Sequence, residues 1–261
     1  MTDLRVYTST GPASHDLAFE AELMERAAAG ESSMLVASWP GPVVVLGYAQ
    51  DPSDVDLEWC RDRQVPVLRR LSGGTGVIHR RDLSVSLALP AGHPWAKEIV
   101  GLYDRFLAVL EPALKTVGAA VERLTEPAHA TRVRSPICFE DQLADTLLVD
   151  GRKVVGCSQT RRKGAVLIHA AVLLGLDPGI YARVFGVDEE RVAAALAPAL
   201  TGVEWRVVAD AVAREMGRAL AADPGWSARP VPRVEFLSVY GRERWSPVPD
   251  DGMQRSAAEL V

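Results

Sequence analysis

Two side chains carry the clearest chemical options in this sequence, Cys138 and Lys153. Cys138 sits in Ser135-Pro136-Ile137-Cys138-Phe139, at an expected loop–strand junction. A thiolate is a nucleophile, and a nearby cation raises its share at neutral pH. A buried structural cysteine is the other role open to this residue type. Lys153 follows Asp150-Gly151 inside an apolar run, with Val154 and Val155 after it. A lysine there either reaches solvent or points into a site, where its ammonium holds a carbonyl or phosphate oxygen. Brought together, the pair could form and steady a thioester-linked intermediate. Cys157, inside a predicted strand, and Cys60, near the end of a predicted helix, read as structural.

A second constellation is Arg69-Arg70-Leu71-Ser72-Gly73-Gly74-Thr75-Gly76-Val77-Ile78-His79. Glycines between two strands let the backbone approach a ligand and turn its N–H groups toward an anion. The flanking arginines could pair with phosphate or an acidic carrier. The same glycines also suit a plain hairpin turn. No Gly-Lys-Ser/Thr follows, so this is not a Walker loop, and no helix opens after it, as a dinucleotide fingerprint would require. The five histidines, 15, 79, 93, 129 and 169, show no metal-ligand spacing, so no metal site is expected. His79 and His169 each end a predicted strand beside these segments, in a substrate-binding or a structural role.

The elements that must position these residues follow from periodicity. Residues 4–8 read as a strand and 14–29 as a helix, with Ser14 at its cap and Leu17, Ala21, Leu23 and Met24 on its apolar face. Residues 33–39 and 43–46 read as two strands across Pro-Gly-Pro. A short helix over 55–63 capped by Asp54, a strand over 65–70, strands over 77–79 and 83–89, and a long helix over 95–117 follow. Residues 122–136 are polar and proline-bearing and read as loop with a short strand. Asp150-Gly151 between 147–149 and 153–155 specifies a type I′ hairpin, since both turn residues need positive φ. Alternation along the second arm puts Lys153, Val155 and Cys157 on one face. A strand pair over 165–169 and 172–174 and helices over 188–200 and 205–222 complete the body. The fold class is α+β, with mixed, largely antiparallel sheets and flanking helices. A catalytic domain is expected over 1–230, and 231–261 as a C-terminal tail, partly disordered.

The totals narrow the function classes. The 261 residues are 48% hydrophobic and 24% charged, the balance of an ordinary globular protein. No apolar run approaches the roughly 20 residues of a membrane span, and the first residues lack a signal peptide's basic and apolar regions. Three cysteines form no even disulfide framework, which points to a cytoplasmic setting. The net charge of −5 argues against nucleic acid as a partner. Two basic islands, 60–82 and 132–163, stand out in an otherwise acidic chain and suit a face that meets phosphate or an acidic protein.

Taken as a set, these segments resemble the lipoate–protein ligase and octanoyltransferase (biotin/lipoate A/B protein ligase) superfamily. Arg69-Arg70-x-Ser-Gly-Gly is similar to its Arg-Arg-x-[Ser/Thr]-Gly-Gly motif. Gly151-Arg152-Lys153-Val154-Val155-Gly156-Cys157-Ser158-Gln159-Thr160-Arg161 is similar to its lysine-bearing strand, with Lys153 on the family's lysine. Residues 164–169 resemble the next strand, which ends in histidine, and Trp39-Pro40 through Leu46-Gly47-Tyr48-Ala49-Gln50 an earlier strand pair. The likeness spans about residues 1–180. Cys138-Phe139, fifteen residues before Lys153, matches the cysteine-dependent octanoyltransferase branch. The Arg-x-Asn-Asp-like segment usual in ATP-dependent ligases is absent there. Cys157-Ser158 in place of Ser-Ala, Ala170-Ala171 after His169, and Thr146 in place of glutamate depart from the pattern.

The resemblance implies a biotin/lipoate-ligase-like catalytic fold and a cofactor-free transfer. Cys138 would take an octanoyl or lipoyl group from an acyl carrier protein. It would pass that group to a lysine of a lipoyl-domain or glycine-cleavage H protein. Lys153 would hold the thioester oxygen. Arg70, Ser72, Gly73, Gly74, Thr75, Gly76 and His79 of the first motif would bind substrate, as would Gly156, Gln159 and His169. Two other readings remain: an ATP-dependent lipoate–protein ligase working through an acyl-adenylate with Mg²⁺, and a non-catalytic paralogue that binds lipoyl proteins.

Overall fold

The computed structural model describes residues 4–124, 136–137, 146–162 and 164–240. Its elements run β1 (Leu4–Ser9), α1 (Ala13–Ala28), β2 (Ser33–Ala37), β3 (Val43–Leu46), α2 (Leu57–Asp62), β4 (Val67–Arg69), β5 (Val77–His79), β6 (Asp82–Pro90) and α3 (Ile99–Thr116). They continue with β7 (Glu122–Arg123), β8 (Leu147–Val149), β9 (Arg152–Lys153), β10 (Val155–Arg162), β11 (Ala165–Leu173), α4 (Pro178–Phe185), α5 (Glu189–Ala195), α6 (Trp205–Leu220), β12 (Pro224–Ala228) and α7 (Val234–Tyr240). Among the described residues no helix is long and apolar enough to cross a membrane.

A six-stranded sheet in the order β10-β11-β6-β2-β1-β12 is the backbone of the fold. Only β1 pairs in parallel, with β2 and β12; the other pairings of this sheet are antiparallel. Strand alternation sends Val85 and Leu87 of β6 and Val166 and Ile168 of β11 to one face, under Phe106 and Leu110 of α3 and Val212 of α6. The opposite face carries α1, whose Phe19 and Leu23 pack with Leu35 and Leu167. A small sheet, β4-β3-β5, joins α2, α4 and α5 around a second core containing Val44, Val67, Ile78 and Phe185. A third, β7-β8-β9, carries the Lys153 hairpin. The architecture is α+β with mixed, mostly antiparallel sheets, as the sequence predicts.

Several local expectations are corrected. Residues 33–37 and 43–46 do not pair: β2 joins the large sheet and β3 the small one. Pro-Gly-Pro therefore marks a crossing between sheets. Pro12, not Ser14, stands at the N-cap of α1, with no side-chain cap bond. Asp56, not Asp54, caps α2, accepting from Trp59 N at 2.9 Å. The two strands expected over 165–174 are one, β11, because β6 and β10 flank it and satisfy both its edges. Helix α4 and strand β12 have no counterpart in the sequence reading. Past Pro230, α7 lies on α1 through Phe236 and Leu237, so residues 234–240 of the expected tail are helix, while 241–261 lie outside the described residues.

Candidate functional site

Register assembles the site. Across the large sheet Ser158 of β10 stands opposite His169 of β11, and His169 opposite Ser86 of β6. All three point to the α1 face, beneath Glu20 of that helix. His169 Nε2 lies 2.7 Å from Ser158 Oγ and 2.5 Å from Ser72 Oγ, and the two hydroxyls are 2.6 Å apart. On its other side His169 Nδ1 meets Glu20 Oε1 at 3.2 Å, while Ser86 Oγ donates to the same oxygen at 2.5 Å. Burial, the largest influence on Glu20, opposes its charge. Electrostatic attraction to His169, followed by hydrogen bonds from His169 and Ser86, outweighs it and holds the carboxyl below its ordinary value of 4.5.

The glycine loop is held to this network by arginine. Arg70, 5% exposed, donates from Nε to Ser72 Oγ at 3.1 Å and from Nη2 to the carbonyls of Gly73 and Thr75 at 2.7 and 3.0 Å. Arg69 Nη1 donates to the carbonyls of Gly47, Tyr48 and Gln50. Both guanidinium groups thus bond backbone carbonyls, Arg69 through Nη1 and Arg70 through Nη1 and Nη2. Two glycines are needed for close approach. A Cβ on Gly47 would stand 2.0 Å from Gly74 O, and one on Gly76 2.5 Å from the Phe185 ring.

Beneath the loop lies a cavity of about 30 Å³. Its apolar walls are Leu17, Trp39, Val45, Val77, Ala170 and Ala171; Glu20, Arg70, His79, Ser84, Ser158 and His169 supply its polar edge, and Gly156 and the free cysteine Cys157 complete the lining. His79 Nδ1 lies 2.6 Å from Asp82 Oδ2, and its ring packs 4.6 Å from that of Trp39. Trp39 Nε1 donates to Asp16 Oδ2 at 2.6 Å. The structure thus brings Arg70, Ser72, His79, Gly156 and His169 together. Thr75 faces instead an open depression of about 440 Å³ that it shares with Gln50, Asp54, Pro136 and Phe185. Gln159 is on the opposite face of β10, where its Nε2 donates to Ile99 O at 2.8 Å, so it does not reach the cavity.

Lys153 is 8% exposed, at the end of the hairpin expected from Asp150-Gly151, whose φ values of 50° and 74° are those of a type I′ turn. It pairs with Leu148, and Ala197 N donates to its carbonyl at 3.2 Å. The strand does not run straight on. Val154 donates to Leu147 O, and β10 then enters the other sheet at Val155, so alternation does not carry from Lys153 to Cys157. Cys138 lies outside the described residues. Immediately before it, Ile137 bridges to Gly76, and Gly76 N donates to Pro136 O at 2.9 Å.

Glu20 and Asp16 were not singled out by the sequence, and Trp39 and Ser158 entered it only as parts of longer motifs, not as site residues. Glu20 carried a signal: it lies three residues after Leu17 and four before Met24, on the predicted apolar face, where a carboxylate calls for a partner.

A buried imidazole and carboxylate under a glycine loop, beside a small cavity on a mixed sheet, characterise this α+β domain. The family model described as Lipoyl protein ligase A/B catalytic domain matches residues 12–214, and the chain belongs to that family. The octanoyltransferase LipM of Geobacillus kaustophilus is 32% identical over 161 residues, 59% of this chain and 58% of that protein. The LipM of Staphylococcus epidermidis is 27% identical over 205 residues, 74% of each chain. The chain therefore spans less than two thirds of the Geobacillus relative. In fold it is similar to lipoate-protein ligase A bound with ATP (TM-score 0.76, 21% identity, 94% of this chain and 97% of that one). It is similar also to the bi-partite lipoate protein ligase of Thermoplasma acidophilum (TM-score 0.73, 18% identity, 97% and 96%).

Proposed function

We propose that the protein is an acyltransferase that moves an octanoyl or related medium-length acyl group from an acyl carrier protein to a lysine of a lipoyl-domain or glycine-cleavage H protein. The observation that carries this reading is the bridge from Ile137 to Gly76, which ties the chain directly before Cys138 to the glycine loop over the cavity. The LipM relatives support octanoyl as the group moved. The Thermoplasma ligase, described with its E2 lipoyl domain, supports a lipoyl domain as the acceptor.

In this reading the Cys138 thiolate attacks the donor thioester. The carrier's thiol leaves with the proton Cys138 gave up, and the acyl group remains on Cys138. The acceptor amine then attacks that thioester, an amide forms, and the Cys138 thiol is restored. Lys153 donates a hydrogen bond to the carbonyl oxygen as charge gathers on it in both steps. The tail of the acyl chain lies along Leu17, Trp39 and Val77. A cavity of about 30 Å³ has room for about two waters, so these walls part as the chain enters.

The test mixes the protein with octanoyl-acyl carrier protein and an apo lipoyl domain or H protein, with and without ATP and Mg²⁺, and reads the acceptor's mass. Octanoylation without ATP is the expected result. Modification by free lipoate only when ATP and Mg²⁺ are present would establish the ligase instead. No modification under any condition would leave a binding paralogue.

A further inference from the structure

Arg229 follows β12, beyond the residues that the family model matches. Its side chain is nevertheless only 7% exposed and forms an ion pair with Asp16, itself 2% exposed, in the first turn of α1. It also closes around the β1–α1 connection: its backbone N donates to Thr8 O at 2.9 Å, Nε to Ser9 Oγ at 3.3 Å and Nη2 to Gly11 O at 3.3 Å. The other oxygen of Asp16 accepts from Trp39 Nε1 at 2.6 Å, and the Trp39 ring packs on His79 at the cavity wall. Four groups thus form one line from the C-terminal segment to the cavity: guanidinium, carboxylate, indole, imidazole.

The middle of that line depends on its outer end. Burial is the largest influence on Asp16 and pushes its carboxyl above the ordinary carboxylate value; bonds from Ser9, Trp39 and Arg229 act against it. A buried carboxylate that loses its cation must take up a proton or turn outward, and in either case it grips an indole N–H less firmly. Trp39 is also the largest side chain of the wall that has to part for an acyl chain. How tightly it is held therefore decides how far the cavity opens.

We propose that Arg229 is a positioning residue that sets acyl-chain selectivity: through Asp16 it fixes Trp39, and so limits the length of chain the cavity accepts. This rests on the reading that the cavity takes an acyl chain, but not on transfer taking place. The test compares the full chain with Arg229→Met and Arg229→Lys. Arg233→Ala serves as a control, because Arg233 pairs with Glu25 and Glu22 farther along α1, and among the described residues no hydrogen bond or ion pair joins it to Trp39. Two quantities are read: hydrogen exchange of the Trp39 indole N–H by NMR, assigned with Trp39→Phe, and the affinities for octanoate and dodecanoate by calorimetry.

In Arg229→Met the indole proton should exchange about tenfold faster or more, as expected when a buried charge pair is broken. The preference for octanoate over dodecanoate should fall about fivefold or more, Arg229→Lys should recover most of both, and Arg233→Ala should change neither. Unchanged exchange, an unchanged preference, or a wild-type protein that binds neither fatty acid would each overturn the proposal. Should Arg229→Met fail to fold, the uncharged, polar Arg229→Gln decides: faster indole exchange together with a weaker preference for octanoate in that folded variant supports the line, and wild-type behaviour in both readouts opposes it. If fatty acids bind as stated and no acyl transfer is found, the proposed function fails and this inference stands.

Discussion

Glu20 on the first helix and His169 on β11 meet at 3.2 Å, although 149 residues separate them. The contact ties α1 to the large sheet at the point where Ser72 brings in the glycine loop. Removing one partner leaves the other buried in a setting arranged for a pair. Glu20→Ala should therefore cost about 3–5 kcal/mol of stability at pH 7, read from urea unfolding. The pair also predicts a pH dependence. Because the folded-state carboxyl lies below 4.5, its contribution is present above that value and is lost as pH falls through the lowered folded value. The stability gap between wild type and Glu20→Gln should narrow in that acid range. A gap independent of pH from 7 down to 3 would remove the charge from the explanation.

The glycine loop supplies a contrast between two substitutions. In Gly47→Ala the new methyl would lie 2.0 Å from a backbone oxygen of Gly74, which has no side-chain freedom to yield. A loss of about 1–3 kcal/mol or more is expected from such overpacking. Gly73 has nothing within 4 Å of an added Cβ, so Gly73→Ala should stay within about 0.5 kcal/mol of wild type. Thermal midpoints of the two variants check this directly; equal losses would mean the loop adapts.

Cys60 should be chemically silent in the folded protein. Burial, assisted by the carboxylate of Asp56, pushes its thiol up to about 11, and the residue is fully enclosed in the second core. Iodoacetamide at pH 8 should leave Cys60 unmodified until the chain is unfolded in urea. Labelling of the native protein at Cys60, found by peptide mapping, would contradict the packing of α2.

Much of the site was legible in the sequence. Asp150-Gly151 fixed the hairpin, because both residues tolerate the positive φ that a type I′ turn requires. Arg70, Ser72, His79 and His169 were placed in the site by the family resemblance, type and spacing alone leaving a hairpin turn and structural histidines open, and the structure brings them together. The rest depends on tertiary pairing, which periodicity does not encode. Pro-Gly-Pro after β2 looks like a hairpin, yet β3 finds its partners in β4 and β5. Gln159 has the right spacing for the site but the wrong parity, since β10 restarts its alternation after the break at Val154. The charge of Arg69 and Arg70 is visible in sequence, while the loop carbonyls that they bond are not. Strand β12 is hidden by Pro224 and Gly225, residues that weaken strand propensity but are tolerated at a sheet edge.

Lys153 is enclosed, and its role in the proposed reaction is electrostatic. Lys153→Met keeps the length and apolar stem of the side chain and removes the ammonium. Octanoyl transfer should fall about 100-fold or more, with the circular dichroism spectrum and thermal midpoint close to wild type. Loss of turnover only in proportion to loss of folded protein would make the lysine structural.

The central claim is that acyl groups pass through Cys138, and one measurement reaches it directly. The protein is incubated with octanoyl-acyl carrier protein alone, without ATP or acceptor, then quenched in acid and mapped by peptide mass spectrometry. The account predicts one octanoyl group on Cys138, released by hydroxylamine, absent in Cys138→Ser and discharged when an apo lipoyl domain is added. Octanoyl transfer to the acceptor by Cys138→Ser at the wild-type rate, with no adduct on the enzyme, would contradict it.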